Sequence, residues 1–155
     1  MTSVLSLGSN VGDRQAHLRA GIDLVGRIVP VVATSPVYET DPVGVDGDPY
    51  LNCVVVVDDD DPERVFTAAQ VAEQTRGRVR SRRWGARTLD VDVISVDNLV
   101  RSDPRLTLPH PRAHERGFVL LPWLDVEPAA ELAGFGPVRR LVAAVDTAGV
   151  RRWAP

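Results

Sequence analysis

Apolar residues recur along the first part of the chain with two different periods, and these periods predict its secondary structure. The apolar run at residues 4–7 ends at three turn-forming residues, 8–10, which is typical of a buried strand that leaves its sheet through a turn. Asp13 follows at the position of a helix N-cap, and apolar residues then recur at spacings of three and four over residues 18–28. We therefore expect a strand followed by an amphipathic helix.

The rest of the chain alternates between the same two patterns. β-branched and apolar runs, the first with Pro36 marking an edge or a bend, predict strands over residues 31–38, 50–57, 88–96 and 150–153. Helices are expected from Pro62 to about residue 75 and over 138–145, and residues 118–124 fit either a short helix or a strand. Loops are expected where proline, glycine and charge replace an apolar period, at residues 39–49 and 76–87.

The order β-α-β-β-α-β predicts a fold class. It is the order of a ferredoxin-like α/β sandwich with a mainly antiparallel sheet, here with C-terminal helical additions. No linker or repeat divides the sequence, so we expect a single domain over residues 1–155. The composition, with 44% hydrophobic and 25% charged residues, is ordinary for a globular domain.

Sequence composition also indicates in which cellular compartment the protein is expected. No apolar run approaches the roughly 20 residues that span a bilayer. No basic segment followed by a long apolar stretch indicates a signal peptide at the N-terminus. The single cysteine, Cys53, excludes an internal disulfide framework. We therefore expect a cytoplasmic protein.

The identity of the basic residues excludes lysine-dependent mechanisms, and their positions suggest a phosphate-binding segment. All 18 are arginine, so a Walker-A phosphate loop and Schiff-base lysine catalysis are both excluded. The net charge of −3 gives no general attraction to nucleic acid. Six of the arginines nevertheless fall within residues 76–87. Guanidinium groups bind phosphate oxygens bidentately, so this segment suits a polyphosphate, although a solvated loop or a weak RNA-binding patch explains it equally well.

Two aspartates follow the arginine-rich segment directly. On a strand over residues 88–96, Asp90 and Asp92 share one face, with Cα atoms roughly 6.5–7 Å apart. Hard carboxylate oxygens suit Mg²⁺, but a solvated face of an antiparallel strand is the favoured interpretation from the spacing alone. Beside the arginines, the pair favours Mg²⁺-nucleotide chemistry, because acids repel a phosphate backbone unless a cation bridges them.

Two further segments carry polar groups of functional interest. His110 lies between two prolines, so its position is well defined, and functional and structural roles are equally compatible with it. Tyr50 and Asn52 share a face of their predicted strand, where a ring and an amide could hold a flat heterocycle. A structural role is the stronger interpretation of that second pair.

Taken together, these segments resemble the family of 6-hydroxymethyl-7,8-dihydropterin pyrophosphokinases, enzymes of folate biosynthesis. The resemblance covers nearly the whole chain in the family's order, with matching motifs at residues 8–10, 38–44, 50–52, 77–80, 83–92, 108–111 and 116–118. Residues 83–92 read Arg-Trp-Gly-Ala-Arg-Thr-Leu-Asp-Val-Asp, which is specific enough to make chance agreement implausible.

The resemblance implies a reaction and its participants. A pyrophosphoryl group would move from MgATP to the hydroxymethyl oxygen of the pterin by attack on the β-phosphorus, releasing AMP. The implied catalytic residues are Asp90 and Asp92, which would hold two Mg²⁺ ions, together with the phosphate-binding Arg78 and Arg87. We expect a monomer that acts on the small molecules ATP and hydroxymethyl-dihydropterin and binds neither nucleic acid nor membrane.

The resemblance also implies two sets of binding residues. Those for ATP are Gln70, Glu73, Arg78, Trp84, Arg87, Arg105, Thr107, His110 and Arg116. Those for the pterin are Thr40, Asp41, Pro42, Val43, Tyr50, Asn52 and Phe118, with Tyr50 and Phe118 stacking on its two sides and Asn52 reading its polar edge. The chain departs from the family at Asp41, where many members have a second proline, and at Pro111, where some have an aromatic residue.

Two other functions compete with this one. A ferredoxin-like RNA-binding domain would use the arginines, but such domains usually carry exposed aromatic residues on the central strands, where we expect Asp90 and Asp92 instead. A Mg²⁺-dependent nuclease would need a further acidic ligand, and no third motif acid is evident near that pair.

Overall fold

Strands and helices form close to the predicted positions in the computed structural model, which describes residues 1–42, 47–77 and 88–155. The strands are β1 (Ser3–Ser9), β2 (Val31–Thr34), β3 (Tyr38–Thr40), β4 (Tyr50–Val57), β5 (Asp90–Val96), β6 (Glu131–Leu132), β7 (Gly136–Pro137) and β8 (Val150–Arg152). The helices are α1 (Arg14–Gly26), α2 (Pro62–Gly77), α3 (Gly117–Val126) and α4 (Val138–Ala144), with a 3₁₀ turn at Ala113–Glu115. No helix among the described residues is both long enough and apolar enough to cross a membrane.

The starts of α1 and α2 follow from local side-chain chemistry. The Asp13 carboxylate accepts a hydrogen bond from the Ala16 backbone N–H at 3.1 Å, so the predicted cap of α1 is confirmed. Pro62 is the first residue of α2, where the N–H that proline lacks has no partner within the helix. The residues predicted to face inward from α2 are all buried, namely Val65, Ala68, Ala69 and Ala72.

Six of the eight described strands form an antiparallel sheet in the order β5-β1-β4-β3-β8, with β2 also paired to β4, and β6 pairs separately with β7. Along the chain, the elements from β1 to β5 follow the order β-α-β-β-α-β when β2 and β3 are counted as one interrupted strand. The predicted ferredoxin-like sandwich is therefore confirmed. The aspartate-bearing strand β5 lies at the edge of the sheet and pairs only with β1 among the described residues. Its expected place at the centre is therefore wrong.

The two faces of the sheet are covered differently, and this difference positions the site. One face packs Leu5, Leu51 and Val91 against α1 and α2. The opposite face, which we call the α3 face, packs Val54 and other apolar side chains against α3, including Trp123. The side chains of β4 are buried along almost its whole length, as expected for a strand covered on both faces. Burial also raises the pKa of the Cys53 thiol to about 12, so this side chain packs as an apolar group.

The strand predicted over residues 31–38 is interrupted. It forms two strands, β2 and β3, separated by Ser35, Pro36 and Val37. The Ser35 hydroxyl accepts a hydrogen bond from the Val54 N–H at 2.9 Å, which replaces a backbone partner beside the proline. β3 then continues through Glu39 and Thr40, two residues that the sequence places in a loop.

Two other boundaries differ from expectation by two residues. α2 continues to Gly77, so Arg76 is helical and does not belong to the loop predicted over 76–87. β5 begins at Asp90 and not at residue 88. The remainder of the predicted arginine-rich loop, residues 78–87, lies outside the described part of the chain.

A glycine in α1 sets how closely this helix approaches the sheet. A Cβ added at Gly21 would lie 2.9 Å from a methyl carbon of Leu7 and 2.9 Å from one of Leu89, and both leucines are completely buried. We expect Gly21→Ala to lower the free energy of unfolding by about 1–2 kcal/mol, since overpacking outweighs the gain in helix propensity. Urea denaturation measures this change. Gly26→Ala is the matched control, because its Cβ would meet only Val31 at 3.7 Å, and equal effects of the two variants would contradict the prediction.

Candidate active site

The two aspartates lie side by side on β5, as the alternation predicts. Val91 and Val93 are buried, whereas Asp90 and Asp92 are half-exposed and share the α3 face. In the sheet register Asp90 lies opposite Gly8 of β1, and Gly8 in turn lies opposite Asn52 of β4. A carboxylate and an amide that are far apart in sequence therefore belong to one row across three strands.

A cleft of about 330 Å³ opens beside β5, between α2 and residues 104–111. Its walls contain Asp92 and five of the residues predicted to bind ATP, namely Gln70, Glu73, Arg105, Thr107 and His110. The apolar part of the wall includes Phe66 and Leu106. The cleft thus combines carboxylate, cationic, hydroxyl and apolar surfaces in the way that nucleotide-binding clefts do.

Phe66 is a cleft residue that sequence reasoning missed. It lies four residues before Gln70 and seven before Glu73, so the three side chains share one face of α2. The Arg105 guanidinium lies 4.9 Å from the centroid of its ring, within cation–π range. Helical spacing from Gln70 is the signal that could have identified Phe66.

Several polar side chains of the cleft are held in place by other protein groups. The Glu73 carboxylate accepts a hydrogen bond from the Val91 N–H at 2.9 Å, which satisfies a backbone donor of the edge strand β5. The Arg105 guanidinium pairs with the Glu63 carboxylate on α2. The Thr107 hydroxyl donates to the carbonyl of Asp103 at 2.9 Å. These bonds give the polar side chains of the cleft partners within the protein itself.

His110 lies at the junction of the cleft and the aspartates. Its backbone N–H donates to the carbonyl of Ile94 at 2.8 Å, and its ring Nδ1 accepts from the N–H of Arg112 at 3.1 Å. Burial lowers the pKa of the ring, the nearby Asp92 carboxylate opposes that shift, and the Arg116 and Arg112 guanidinium groups add to it. The ring is therefore mainly neutral at pH 7, and its Nδ1 serves as an acceptor within the protein.

Arg116 connects the aspartates to the N-terminus of α3. Its guanidinium Nη1 lies 4.0 Å from the Asp92 Oδ2, and its Cζ lies 5.5 Å from the centroid of the Phe118 ring. Phe118 packs, partly buried, against the apolar cluster on the α3 face, and α3 itself packs on β4. The α3 face therefore carries both a predicted ATP residue and a predicted pterin residue.

Asn52 and Thr40 form a polar pair on the same face. Asn52 is 4% exposed, and its Oδ1 accepts a hydrogen bond from the Thr40 hydroxyl at 2.7 Å. This bond orients the amide and leaves its Nδ2 beside Gly8, where an added Cβ would lie 2.9 Å away. Tyr50 shares this face, because it is two residues before Asn52 and lies opposite Thr40 in the sheet.

Two further predicted pterin residues, Asp41 and Pro42, directly follow the end of β3. The Asp41 carboxylate pairs with Arg151 of β8 at 2.9 Å, so the acid that departs from the family pattern has a partner within the protein. Pro42 follows and is half-buried. Four predicted site residues lie outside the described residues, namely Val43, Arg78, Trp84 and Arg87.

The described residues on either side of 78–87 lie close together. The Thr88 hydroxyl donates to the carbonyl of Arg76 at 2.7 Å. The Arg76 Nε–H donates to Nδ1 of His17 at 2.9 Å. Burial and the adjacent Arg76 guanidinium lower the pKa of His17, which keeps that nitrogen available as an acceptor. α1 thus anchors the end of α2 from which the arginine-rich segment leaves.

The aspartates fit Mg²⁺ as it is bound with phosphate ligands. Asp90 and Asp92 offer hard oxygen donors from one strand face, and Asp92 is 45% exposed. The described residues contain no group of three or more His, Cys, Asp or Glu side chains able to enclose a metal ion. Two carboxylates are nevertheless sufficient for Mg²⁺, which takes one or two carboxylates together with substrate phosphates and water.

The sequence and the fold are both similar to those of known proteins. A family model described as 7,8-dihydro-6-hydroxymethylpterin-pyrophosphokinase (HPPK) matches residues 4–128. The 2-amino-4-hydroxy-6-hydroxymethyldihydropteridine pyrophosphokinase of Mycobacterium tuberculosis (strain H37Rv) is 46% identical, over 94% of this chain and 84% of its own length. The protein of the same name from Methylorubrum extorquens is 38% identical, over 96% of each chain.

The likeness to solved structures concerns the fold alone. The crystal structure of wild-type Plasmodium falciparum HPPK-DHPS with pteroate superposes with a TM-score of 0.71 at 13% sequence identity. The match covers 92% of this chain but only 44% of that longer protein. It supports the α/β architecture described above.

Proposed function

The chain belongs to the 7,8-dihydro-6-hydroxymethylpterin-pyrophosphokinase family, and we propose that Asp90 and Asp92 stand between its two substrates. The enzyme transfers a pyrophosphoryl group to the hydroxymethyl group of the dihydropterin in folate biosynthesis, with ATP as co-substrate. One observation supports the proposal that the ATP site and the pterin site lie on either side of these aspartates. Asp92 lines the cleft beside α2, while its strand neighbour Asp90 shares a register row with Gly8 and Asn52.

The cleft is the proposed ATP site. Its apolar wall at Phe66 and Leu106 suits a base or a ribose, and its polar residues converge on the edge strand. Arg116 brings a guanidinium to the same carboxylate that the cleft presents, so a phosphate placed there would meet positive charge. Arg78, Trp84 and Arg87 remain part of the proposed ATP site on the strength of the sequence motif.

We propose that Asp90 and Asp92 are the protein ligands of two Mg²⁺ ions. When bound, Mg²⁺ supplies charge neutralisation on the phosphates and makes the substrate hydroxyl more acidic. The protein's own contribution is positional. β5 holds the two carboxylates at a fixed spacing, and Arg116 limits the negative charge around Asp92.

The α3 face beside Asn52 is the proposed pterin site. The Asn52 Oδ1 is engaged by Thr40, so its Nδ2 is the group that would donate to an acceptor on the pterin edge. Tyr50 and Phe118 are the proposed stacking rings. In the reaction the hydroxymethyl oxygen bonds to the β-phosphorus, the bond from that phosphorus to the α-bridging oxygen breaks, and AMP leaves.

Broader aspects of the function follow from this proposal. We propose one catalytic domain over residues 1–155, a monomer in the cytoplasm, and no nucleic-acid or membrane partner. The RNA-binding alternative gains no support, because the family and the relatives are pyrophosphokinases and β5 carries carboxylates at the sheet edge.

The test is a product assay with both substrates. The purified protein is incubated with MgATP and 6-hydroxymethyl-7,8-dihydropterin, and AMP and pterin diphosphate are separated by ion-exchange chromatography. We expect the two products in equal amounts, and neither when the pterin is omitted or EDTA is added. Formation of ADP in place of AMP, or AMP without pterin diphosphate, would contradict the proposal.

A further inference from the structure

Four charged side chains of alternating sign form a continuous chain of contacts beside the β3–β4 hairpin. Arg14, the first residue of α1, donates from Nη1 both to Glu39 Oε2 at 2.9 Å and to the carbonyl oxygen of Pro49 at 3.0 Å. Arg151 of β8 donates to Glu39 Oε1 and to Asp41 Oδ1, each at 2.9 Å. We call these four side chains the hairpin clamp.

The hairpin clamp connects the two ends of the segment between β3 and β4. Asp41 is the first residue after β3, and Pro49 is the last residue before β4. The clamp joins them through one guanidinium from α1 and one from β8. The Asp41 N–H also donates to the carbonyl of Gly149 at 2.9 Å, so the start of the segment is tied to the turn before β8 through its backbone as well.

Glu39 is the centre of the clamp, and both of its carboxylate oxygens have an arginine partner. Its side chain is only 19% exposed, and that of Arg14 is 24% exposed. The hydrogen bond from Arg14 is the main cause that lowers the pKa of Glu39, and the bond from Arg151 adds to it. The carboxylate is thus ionised at neutral pH, and the removal of either arginine would leave a partly buried charge with one partner fewer.

The clamp and the proposed pterin site lie on opposite faces of the same short strand. Glu39 lies opposite Leu51, a residue of the core against α1 and α2, so its side chain points to that face. Its neighbour Thr40 points to the α3 face, where its hydroxyl holds Asn52. A displacement of β3 at Glu39 would therefore move the hydroxyl that orients the Asn52 amide.

We propose that Arg151 is a positioning residue for pterin recognition, acting through Glu39 and Asp41 on the Thr40–Asn52 pair. This inference rests on the proposed pterin site on the α3 face beside Asn52. None of the predicted site residues lies on the C-terminal strand β8, so the inference gives this strand a role in pterin recognition. It also explains how Asp41 is accommodated, because Arg151 is bound to that acid and to Glu39 at the same time.

The experiment measures pterin and nucleotide affinity separately. Arg151→Ala is titrated with 6-hydroxymethylpterin in the presence of a nonhydrolysable MgATP analogue, and with the analogue alone, by isothermal calorimetry. We expect pterin affinity to fall about 5- to 20-fold and analogue affinity to stay within about twofold of the wild type. Arg151→Lys should recover only part of the loss, because an ammonium lacks the planar fork that reaches both acids. Arg139→Ala, an exposed arginine on α4, is the matched control and should change neither affinity.

A double-mutant cycle tests whether Arg151 acts through Asp41. We expect Arg151→Ala/Asp41→Ala to bind pterin about as weakly as Arg151→Ala, because the partner of Asp41 is already gone, so the losses of Arg151→Ala and Asp41→Ala should not be additive; additive losses would contradict the action through Asp41. Unchanged pterin affinity in Arg151→Ala, or an equal loss for pterin and nucleotide analogue, would overturn the inference. If Arg151→Ala fails to fold, the same comparison is made with Arg151→Lys, and an affinity equal to that of the wild type would overturn it. Failure of the wild-type protein to bind pterin would instead refute the proposed function.

Discussion

Asp92→Asn is expected to lower turnover by about a thousandfold or more while the protein remains folded. The substitution preserves the size of the side chain and removes its charge. Asp92 lines the cleft, lies 4.0 Å from Arg116 and is half-exposed, so its carboxylate is available to a bound cation. An amide oxygen is a much weaker partner for Mg²⁺, and the phosphates would lose the charge neutralisation on which the transfer depends.

The measurement is the rate of AMP formation at saturating MgATP and pterin, together with a thermal unfolding curve. Asp97→Asn is the matched control, because Asp97 is exposed just beyond the end of β5 and has a positive φ of 49° that asparagine accepts readily. The control should retain wild-type turnover. Near-wild-type turnover of Asp92→Asn in Mg²⁺ would refute the assignment of this carboxylate as a metal ligand.

Alternation along single strands made much of the site predictable. Asp90 and Asp92 are two residues apart, as are Tyr50 and Asn52, and the period of a strand places each pair on one face. The order of the elements then predicted the ferredoxin-like fold class, although not the edge position of β5. Five residues that the family resemblance assigns to ATP also line one cleft, namely Gln70, Glu73, Arg105, Thr107 and His110.

Features that depend on contacts between residues far apart in the sequence could not be predicted from the alternation or from the order of the elements. The break between β2 and β3 depends on a serine hydroxyl that replaces a backbone acceptor opposite Val54. The edge position of β5 depends on which strand pairs with β1 on each side. The hairpin clamp joins Arg14 to Glu39 and Glu39 to Arg151, pairs that are 25 and 112 residues apart in the sequence and show no local pattern.

Gly8→Ala is expected to weaken pterin binding by roughly 30- to 100-fold, since it combines overpacking with a misplaced buried amide. An added Cβ would lie 2.9 Å from Nδ2 of Asn52 and 3.4 Å from Cδ2 of Tyr50. Asn52 is 4% exposed and its Oδ1 is held by Thr40, so the amide has little room to retreat without losing that bond. The group proposed to read the pterin edge would be displaced by a single methyl.

Nucleotide binding provides the internal control for this variant. The cleft beside α2 does not include Gly8, so affinity for a nonhydrolysable MgATP analogue should stay within about twofold of the wild type. Calorimetric titration with 6-hydroxymethylpterin, with the analogue already bound, measures the other affinity. Equal losses for both ligands would indicate general damage to the sheet and would contradict a local effect on Asn52.

The same clash predicts how Gly8→Ala and Asn52→Ala combine. Asn52→Ala removes the amide that the new methyl would strike, which leaves only the 3.4 Å approach to Tyr50. Gly8→Ala should therefore cost pterin affinity much less in the Asn52→Ala background than in the wild type, and the two losses should fall well short of additivity. Fully additive losses would mean that the added methyl at Gly8 weakens pterin binding independently of Asn52, and the proposed displacement of this amide would then be wrong.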